Sequence, residues 1–492
     1  MTSTEAGSTM GKISRRDVLK QGSALLVAGS LTACAEGDSS ASAKVGASKA
    51  EFSDASHQAY DSGTVPLASS GWTKTLGEGP DYPSLSEDLS CDVLIVGAGL
   101  AGCSLALHLA ELGVDTVVVE ARQPGWGASG RNAGHVLPLL RDVKLFEQFP
   151  DKGEAFFKLF QEHHTIPFDI AAKYNIDCDA TQSGYLNAMS SQKAFDKFAR
   201  SAARPAERLG QSIKHLDAAQ MRDMTGSDYY PYGVLYESGG RVNPYLLSSG
   251  MAAAAQGLGA RIFGDSAAKK LSPEGSGWKV QVEQGATVRC DKVIFCTNAY
   301  ATDIVPAFKQ SCYPMTAYAL CTEPLPDELY DIIMPSRATL AQVPIDLNPL
   351  VVDAHKRIVT ASMPSRRRPA DAQWHFEHHL KWIQRTWPEA QDFPIKLESY
   401  WTGRVAMRDQ EFPGMYQHAE GVYGLMHFNA WGNVMAPMMG MALAQALAAD
   451  RLDQLPFPLV SAQPVANPGK QEFIIRSLMI PAARIAQDFG VI

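Results

Sequence analysis

The sequence predicts an α/β (α+β) chain in which a parallel-sheet domain carries an inserted domain built on an antiparallel sheet. Val93 to Val96 is a short β-branched run followed at once by glycine, which is typical of a buried parallel strand. Trp278 to Val282 alternates as an antiparallel strand does. Residues 145–232 show charged helical patterns, and residues 312–399 combine many prolines with short β-like runs, so these two blocks indicate the inserted domain.

The glycines after the first predicted strand form a GxGxxG pattern. Gly97 permits a tight turn, Gly99 lets a pyrophosphate approach the backbone, and Gly102 lets a helix pack on the strand. The helix is expected from Ala101 to Leu112, and its N-terminus would offer free N–H groups and a positive dipole end to an anion.

A second strand and an acid complete this unit. Thr116 to Val119 is the predicted strand, and Glu120 follows it, 18 residues after Gly102. The spacing is close to the value of about twenty for an acid that binds a ribose. The whole pattern indicates a Rossmann-like dinucleotide-binding domain. An ordinary βαβ unit with packing glycines and a solvated Glu120 is the alternative.

Composition limits the classes of function. The chain has 492 residues with 46% apolar content, which is enough for two or more large cores. Its net charge of −8 argues against a nucleic-acid partner, and no apolar run reaches the roughly 18 residues of a membrane span. No Cys or His spacing suits a metal site, and the seven cysteines from Cys91 to Cys321 do not resemble a disulfide framework.

The N-terminus has the character of a targeting segment. Ser14 to Lys20 resembles a twin-arginine export signal, and Gly22 to Ala33 is a short apolar region. Leu31 to Cys34 resembles a lipobox, with a plain cleavage site as the alternative. Residues 1–34 are therefore predicted to direct export to the periplasm, with membrane contact only through a lipid on Cys34, and residues 35–70 to form a flexible tether.

A second glycine-rich loop covers residues 125–134. It reads Gly-Trp-Gly-Ala-Ser-Gly-Arg-Asn-Ala-Gly, and such a loop can wrap closely round a phosphate and the edge of an isoalloxazine ring. Placed after the βαβ unit, it resembles the D-amino acid oxidase-type FAD oxidoreductases, most of all their gamma-glutamylputrescine oxidoreductase and sarcosine oxidase branch. The resemblance runs from Trp72 to the C-terminus. Its other motifs are Gly239 to Pro244, Asp291 to Tyr300, Pro314 with Thr322 to Leu325, Trp401 to Pro413, and Gly432 with Gly440.

The resemblance implies a domain division and a cofactor site. An FAD-binding domain would comprise residues 71–144, 233–311 and 400–492, and a substrate domain residues 145–232 and 312–399. The FAD is expected to be noncovalent. The residues implied to hold it are Gly97, Gly99, Leu100, Ala101, Gly102, Glu120, Ala121, Arg122, Gly127, Ala128, Ser129, Arg131, Asn132, Ala133, Gly134, His135, Ala268, Thr297, Asn298, Gly432, Asn433 and Val434.

The resemblance also implies a reaction. The substrate would be a small amine or amino acid, bound between the flavin and the inserted sheet and oxidised at its C–N bond to an imine, which water hydrolyses to a carbonyl. His135, Trp431 and Arg408 are the candidate residues near it. A structural histidine at 135, and a surface ion pair at Arg408 or Arg404, are the alternatives. A dehydrogenase of a 2-hydroxy acid or other alcohol and a non-catalytic flavin-binding protein also stay open.

One position departs from the resemblance. Relatives carry Gly-x-Gly at the start of the last helix, whereas this chain has Gly432-Asn433-Val434. The missing glycine would alter the backbone approach to the flavin. Oxygen, a quinone or a small carrier therefore remain as expected electron acceptors.

Overall fold

The structure is a computed structural model that describes residues 70–73, 80–140, 143–149, 151–408 and 412–489. The predicted export signal with its lipobox, and all but the last residue of the predicted tether, lie outside the described residues. Among the helices that are described, none has the length and apolarity needed to cross a membrane. Nor do the described residues contain a group of three or more His, Cys, Asp or Glu side chains that could hold a metal ion.

The first sheet has nine strands around a parallel core. Across the core the strands are β8 (Arg261–Phe263), β2 (Thr116–Val119), β1 (Leu89–Val96), β11 (Thr287–Phe295) and β18 (Val422–Met426). The antiparallel strands β9 (Ala268–Glu274) and β10 (Gly277–Val282) extend from β11, while β17 (Gly414–Ala419) and β19 (Leu459–Val460) form the other edge. Val93 to Val96 of β1 and Val117 to Val119 of β2 are buried and wholly apolar, as expected for a parallel sheet that is covered on both faces.

The second sheet has eight strands and is antiparallel except where β13 meets β4. In spatial order the strands are β16 (Leu397–Met407), β12 (Tyr313–Thr322), β15 (Ile358–Ser362), β14 (Leu350–Val352), β13 (Thr339–Val343), β4 (Tyr185–Met189), β6 (Tyr232–Tyr236) and β5 (Ile213–Leu216). A two-stranded ladder of β3 (His135–Val136) and β7 (Gly240–Arg241) lies apart from both sheets. This arrangement confirms the α/β (α+β) fold class that the sequence predicts.

Twelve α-helices are described. They are α1 (Leu100–Glu111), α2 (Glu154–His163), α3 (Ile166–Lys173), α4 (Gln192–Arg208), α5 (Ala218–Thr225), α6 (Pro244–Gly257), α7 (Pro306–Gln310), α8 (Asp327–Ile332), α9 (Ala372–Thr386), α10 (Gly432–Ala448), α11 (Pro468–Phe473) and α12 (Ile480–Asp488). A π-helical segment, Ile474–Met479, joins the last two.

Helices α1 and α10 pack side by side and share the main core. A Cβ at Gly440 would lie 3.0 Å from the Ala101 carbonyl oxygen, so glycine permits the close approach of the two backbones. Met438 and Met439 are fully buried in the same core. The two helices also approach at their N-termini, because Gly432 at the start of α10 faces Leu100 at the start of α1.

The predicted domain boundaries differ from the sheet pairing at two points. Strands β6 and β16 belong to the antiparallel sheet, yet the predicted boundaries at residues 232 and 399 cut through both. Strand β16 pairs with β12 from Tyr313 to Thr322, so the antiparallel sheet continues past residue 400. The motif from Trp401 onward, expected in the cofactor domain, therefore begins within this sheet.

Candidate cofactor and substrate site

The turn between β1 and α1 can be built only with glycine at two positions. Gly97 has a φ of +105°, a conformation that L side chains rarely adopt. A Cβ at Gly102 would lie 1.9 Å from the Gly97 carbonyl oxygen, closer than any real contact. A Cβ at Gly99 would lie 2.6 Å from Ser129 Oγ. The glycines therefore hold the helix N-terminus tight against the strand end, as a phosphate-binding turn requires.

Glu120 is fixed against this turn. Its Oε2 accepts a hydrogen bond of 2.7 Å from the Ala98 N–H, and its Oε1 accepts one of 3.0 Å from the Arg122 N–H. Burial raises the pKa of the Glu120 carboxyl, although these hydrogen bonds favour its ionised form. The Glu120 carbonyl accepts from Ser266 N–H at 2.7 Å, which brings the segment just before β9 (Ala268–Glu274) beside the end of β2.

The loop at residues 125–134 folds back onto the same turn. Gly125 N–H donates to the Ala98 carbonyl at 2.9 Å, and Leu100 N–H donates to Ser129 Oγ at 2.9 Å. Ser129 lies in a short 3-10 helix, Ala128–Gly130, that begins after Gly127. The structure thus brings together, at the N-terminus of α1, the two glycine-rich segments that the sequence identifies.

Arg131 connects this loop to the antiparallel sheet. Its Nε donates to the Trp126 carbonyl at 2.6 Å, and its Nη1 donates to the Thr402 carbonyl at 3.1 Å. Burial lowers the pKa of the guanidinium to about 10, so Arg131 stays cationic at neutral pH. Trp401 Nε1 donates in turn to the Arg131 carbonyl at 2.9 Å. Arg131 therefore orients the loop through neighbouring carbonyl groups.

Asn132 and Asn433 join the loop to the last core helix. Asn132 Nδ2 donates to Asn433 Oδ1 at 3.2 Å, and Asn433 Nδ2 donates to Asn132 Oδ1 at 3.0 Å. Asn433 Nδ2 also donates to the His135 carbonyl at 2.7 Å. Asn132 Oδ1 accepts a further bond of 2.9 Å from Gly134 N–H, while Ala133 lies between them. Asn433 and Val434 occupy the first turn of α10, so this network places that turn beside the loop.

His135 lies where three parts of the protein meet. Its backbone begins β3 directly after the loop, its carbonyl accepts a hydrogen bond from Asn433 of α10, and its ring centroid lies 6.0 Å from that of Tyr185 on β4. The imidazole is buried, and neither ring nitrogen has a hydrogen-bond partner within the described residues. Burial lowers the pKa of His135 to about 3, so the ring is neutral at physiological pH.

The segment after β11 closes the other side of the turn. A Cβ at Gly97 would lie 3.0 Å from the Cys296 carbonyl oxygen and 3.4 Å from Thr297 N, so Thr297 abuts the glycine turn. The next residue, Asn298, accepts a hydrogen bond of 2.9 Å through its Oδ1 from the His427 N–H. Both predicted residues thus lie at the carboxyl ends of the parallel strands.

Trp431 and Arg408, the other two candidate residues near the substrate, lie in different places. Trp431 is the buried N-cap residue of α10, next to Gly432, and so lies close to the Asn132–Asn433 link. Arg408, at the end of β16, donates to the Tyr416 hydroxyl, which lies 3.0 Å from His427 Nδ1. Trp431 is thus two residues from Asn433, which binds the His135 carbonyl, whereas Arg408 contacts Tyr416.

The sequence interpretation missed His427. This histidine is fully buried, and its pKa is lowered to about 3 by burial and by Arg408. Its Nε2 has no partner within the described residues. The sequence around His427 matches no motif. The one indication of its role is its position, directly after the buried strand β18 and shortly before α10.

The described residues fit an FAD molecule. The N-terminus of α1 and the Glu120 carboxylate suit the pyrophosphate and a ribose, and the N-terminus of α10 has no side-chain cap. The family model for "DAO: FAD dependent oxidoreductase" matches residues 92–446, which is most of the chain. The chain belongs to this DAO family of FAD-dependent oxidoreductases.

Individual relatives agree with this assignment. The gamma-glutamylputrescine oxidoreductase of Escherichia coli (strain K12) is 27% identical over 392 residues, covering 77% of this chain and 90% of the relative. The solved glycine oxidase from Bacillus cereus ATCC 14579 shares the fold at 19% identity, with a TM-score of 0.60 over 75% of this chain and 99% of the other. An L-amino acid deaminase from Proteus vulgaris shares it at 18% identity, with a TM-score of 0.61 over 80% and 95%.

The cofactor of this FAD-dependent oxidoreductase would therefore contact both glycine-rich segments. The α1 turn and Glu120 would hold the adenosine and pyrophosphate parts. The loop at 125–134 and the first turn of α10 would hold the flavin, because the Asn132–Asn433 link keeps them together. The assignment of individual residues to the cofactor stays a prediction.

Proposed function

We propose that this flavoenzyme oxidises the C–N bond of an amine or amino acid to an imine, which water hydrolyses to a carbonyl compound and a freed amine or ammonia. The observation that carries the proposal is His135. Its buried, neutral ring lies against Tyr185 of the antiparallel sheet, its carbonyl is bound by Asn433 of α10, and both ring nitrogens lack partners within the described residues. The names of the relatives, an oxidoreductase of gamma-glutamylputrescine, a glycine oxidase and an L-amino acid deaminase, support the same bond type.

The chain's own residues would prepare the substrate nitrogen. When bound, FAD supplies the acceptor for the hydride that leaves the carbon beside nitrogen. The substrate must then be a neutral amine, because its lone pair drives the departure of the hydride. A neutral His135 adds no positive charge near that nitrogen and can accept a hydrogen bond from it. The burial of His135 and Trp431 excludes water from this place.

Anaerobic mixing with candidate substrates tests the proposal. Purified yellow protein should lose its flavin colour with an amine or amino acid and release a carbonyl product. Bleaching by 2-hydroxy acids alone would indicate alcohol oxidation instead. Retention of the colour with every compound in a broad panel would indicate a flavin-binding protein without turnover.

We further propose that a quinone or a small carrier, rather than oxygen, reoxidises the cofactor. Support comes from Val434, which stands in the first turn of α10 where relatives of the resembled branch carry glycine. Val434 is buried, so its side chain fills space near the place proposed for the flavin. Limited room beside the ring would slow its reaction with oxygen.

Export by the twin-arginine route is also part of the proposal. Ser14 to Lys20 supports it, although this segment lies outside the described residues. Changing Arg15 and Arg16 to lysine should leave the precursor in the cytoplasm, whereas the same change at Arg367 and Arg368 should not. Normal appearance of the Arg15/Arg16 variant outside the inner membrane would overturn this part of the proposal.

A further inference from the structure

The C-terminal helical segment exposes an unusual share of the chain's apolar side chains. Phe473, Leu478, Ile485 and Phe489 are 49%, 54%, 58% and 80% exposed. They are four of the seven exposed large apolar residues in the described part of the chain, and all four fall within its last 17 described positions. Single exposed apolar residues are ordinary, but this concentration indicates a surface that meets another apolar phase.

Three of these side chains form one stripe with two neighbouring residues. Leu478, Pro481, Ala482, Ile485 and Phe489 are all exposed, and their spacing is i, i+3, i+4, i+7 and i+11. This is the spacing of residues on a single face of a helix. We call this face the C-terminal apolar stripe.

The opposite face of the segment holds polar groups and is buried. Arg484 Nη2 donates to the Tyr318 hydroxyl at 3.1 Å and to Ser362 Oγ at 3.2 Å. Arg476 Nε donates to the Pro364 carbonyl at 3.2 Å. The segment is therefore attached to the antiparallel sheet through its arginines. It cannot turn its stripe inward without removing these buried cations from their partners.

A basic run contacts the same C-terminal segment just before the stripe, at Phe473 and Ser477. Arg366, Arg367 and Arg368 are all exposed, in a chain whose net charge is −8. The Arg366 guanidinium lies 5.6 Å from the centre of the Phe473 ring, and its Nη1 donates to Ser477 Oγ at 3.3 Å. Arg368 also approaches Asp371 at 3.9 Å. Apolar side chains bordered by arginine suit a phosphate-bearing interface, whereas an acidic protein as a whole repels one.

We propose that the C-terminal apolar stripe and the run Arg366 to Arg368 form a surface that lies on an anionic lipid bilayer. The apolar side chains enter the headgroup region, and the arginines bind lipid phosphates. The segment lies in the interface plane and does not span the bilayer. This contact is independent of any lipid on Cys34 and of the reaction proposed above.

Flotation with vesicles tests the proposal. The full chain carrying Cys34→Ala, which cannot be lipidated there, is mixed with vesicles of phosphatidylglycerol and phosphatidylethanolamine, or of phosphatidylcholine alone. It should float with the anionic vesicles and much less with the neutral ones, and the difference should shrink as salt is added. Failure to float with anionic vesicles would overturn the proposal.

Matched variants assign the binding to this surface. Leu478→Ser with Ile485→Ser should weaken binding to anionic vesicles by about tenfold or more. The control is Leu112→Ser with Leu258→Ser, two side chains of similar exposure (51% and 46%), which should bind unchanged. All variants keep the same N-terminus, so a difference between them reports on the stripe.

Two results of the variant series would contradict the proposal. Equal flotation of the stripe variant and its control would place the binding elsewhere on the chain. A soluble dimer that the stripe variant dissociates, without vesicle binding by the parent chain, would make the stripe an interface between two copies.

Discussion

Asn132 and Asn433 exchange two side-chain hydrogen bonds although they are 301 residues apart in the chain. One belongs to the glycine-rich loop and the other to the first turn of α10. The second amide hydrogen of Asn433 reaches the His135 carbonyl. This pair therefore sets the distance between the two segments that we expect to hold the flavin.

Removing the Asn433 amide should loosen this junction. Asn433→Ala removes both side-chain bonds to Asn132 and the donor to the His135 carbonyl, at a cost of about 1–3 kcal/mol in the free energy of unfolding. We expect a lower melting temperature and partial loss of FAD on gel filtration. Gln417→Ala, which changes an exposed amide on β17, is the control. Unchanged stability and full FAD content in the Asn433 variant would show that the link is dispensable.

Blocking the glycine turn should abolish cofactor binding. In Gly99→Val the added side chain begins 2.6 Å from Ser129 Oγ and occupies the space above the N-terminus of α1. Purified protein should be folded by circular dichroism but colourless. Gly257→Val, at a position with open space around it, should stay yellow. A yellow Gly99 variant with one FAD per chain would refute the placement of the pyrophosphate.

The buried His135 should make folding sensitive to acid. Its pKa is about 3 in the folded chain and about 6.5 when unfolded, so the unfolded state binds the extra proton between these values. The stability from a neutral His135 is thus fully present above pH 6.5 and is lost as pH falls toward 3. From pH 6.5 to 5 the loss is about 2 kcal/mol.

The His135→Gln variant isolates this contribution. His375 and His427 also have pKa values lowered to about 3, chiefly by burial, so the parent chain loses stability through several groups at once. Urea unfolding at pH 6.5 and pH 5 should show a smaller decrease in His135→Gln than in the parent. His418→Gln, an exposed site, should match the parent. Identical decreases in all three proteins would mean that His135 is already accessible to protons.

The sequence predicts the elements that are local, and it misses those that depend on distant partners. The second strand of the βαβ unit is predicted to the residue and its helix to within one residue at each end, while the first strand begins four residues before the predicted Val93. These elements are found because they are local in the chain. The boundaries at residues 232 and 399 cut through β6 and β16, because strand membership depends on partners elsewhere in the chain. The partners of Asn433, and the burial of His427, likewise arise only when separate segments meet.

The electron acceptor can be tested at Val434. If its side chain restricts oxygen near the flavin, Val434→Gly should speed reoxidation of the substrate-reduced enzyme by air-saturated buffer. The parent should be reoxidised faster by a soluble quinone than by oxygen, and Val434→Ala should be intermediate. Stopped-flow measurement of flavin colour gives each rate. Oxygen reoxidation of the parent that supports turnover, without any gain from quinone, would establish an oxidase.

The most direct test of the central claim is anaerobic reduction of the purified yellow enzyme. Primary amines, secondary amines, amino acids and 2-hydroxy acids are added separately, and flavin absorbance and carbonyl product are measured together. Our account predicts bleaching by at least one amine or amino acid, with one carbonyl formed for each flavin reduced. Bleaching by 2-hydroxy acids alone, or no bleaching by any of the four classes, would contradict the assignment of C–N oxidation.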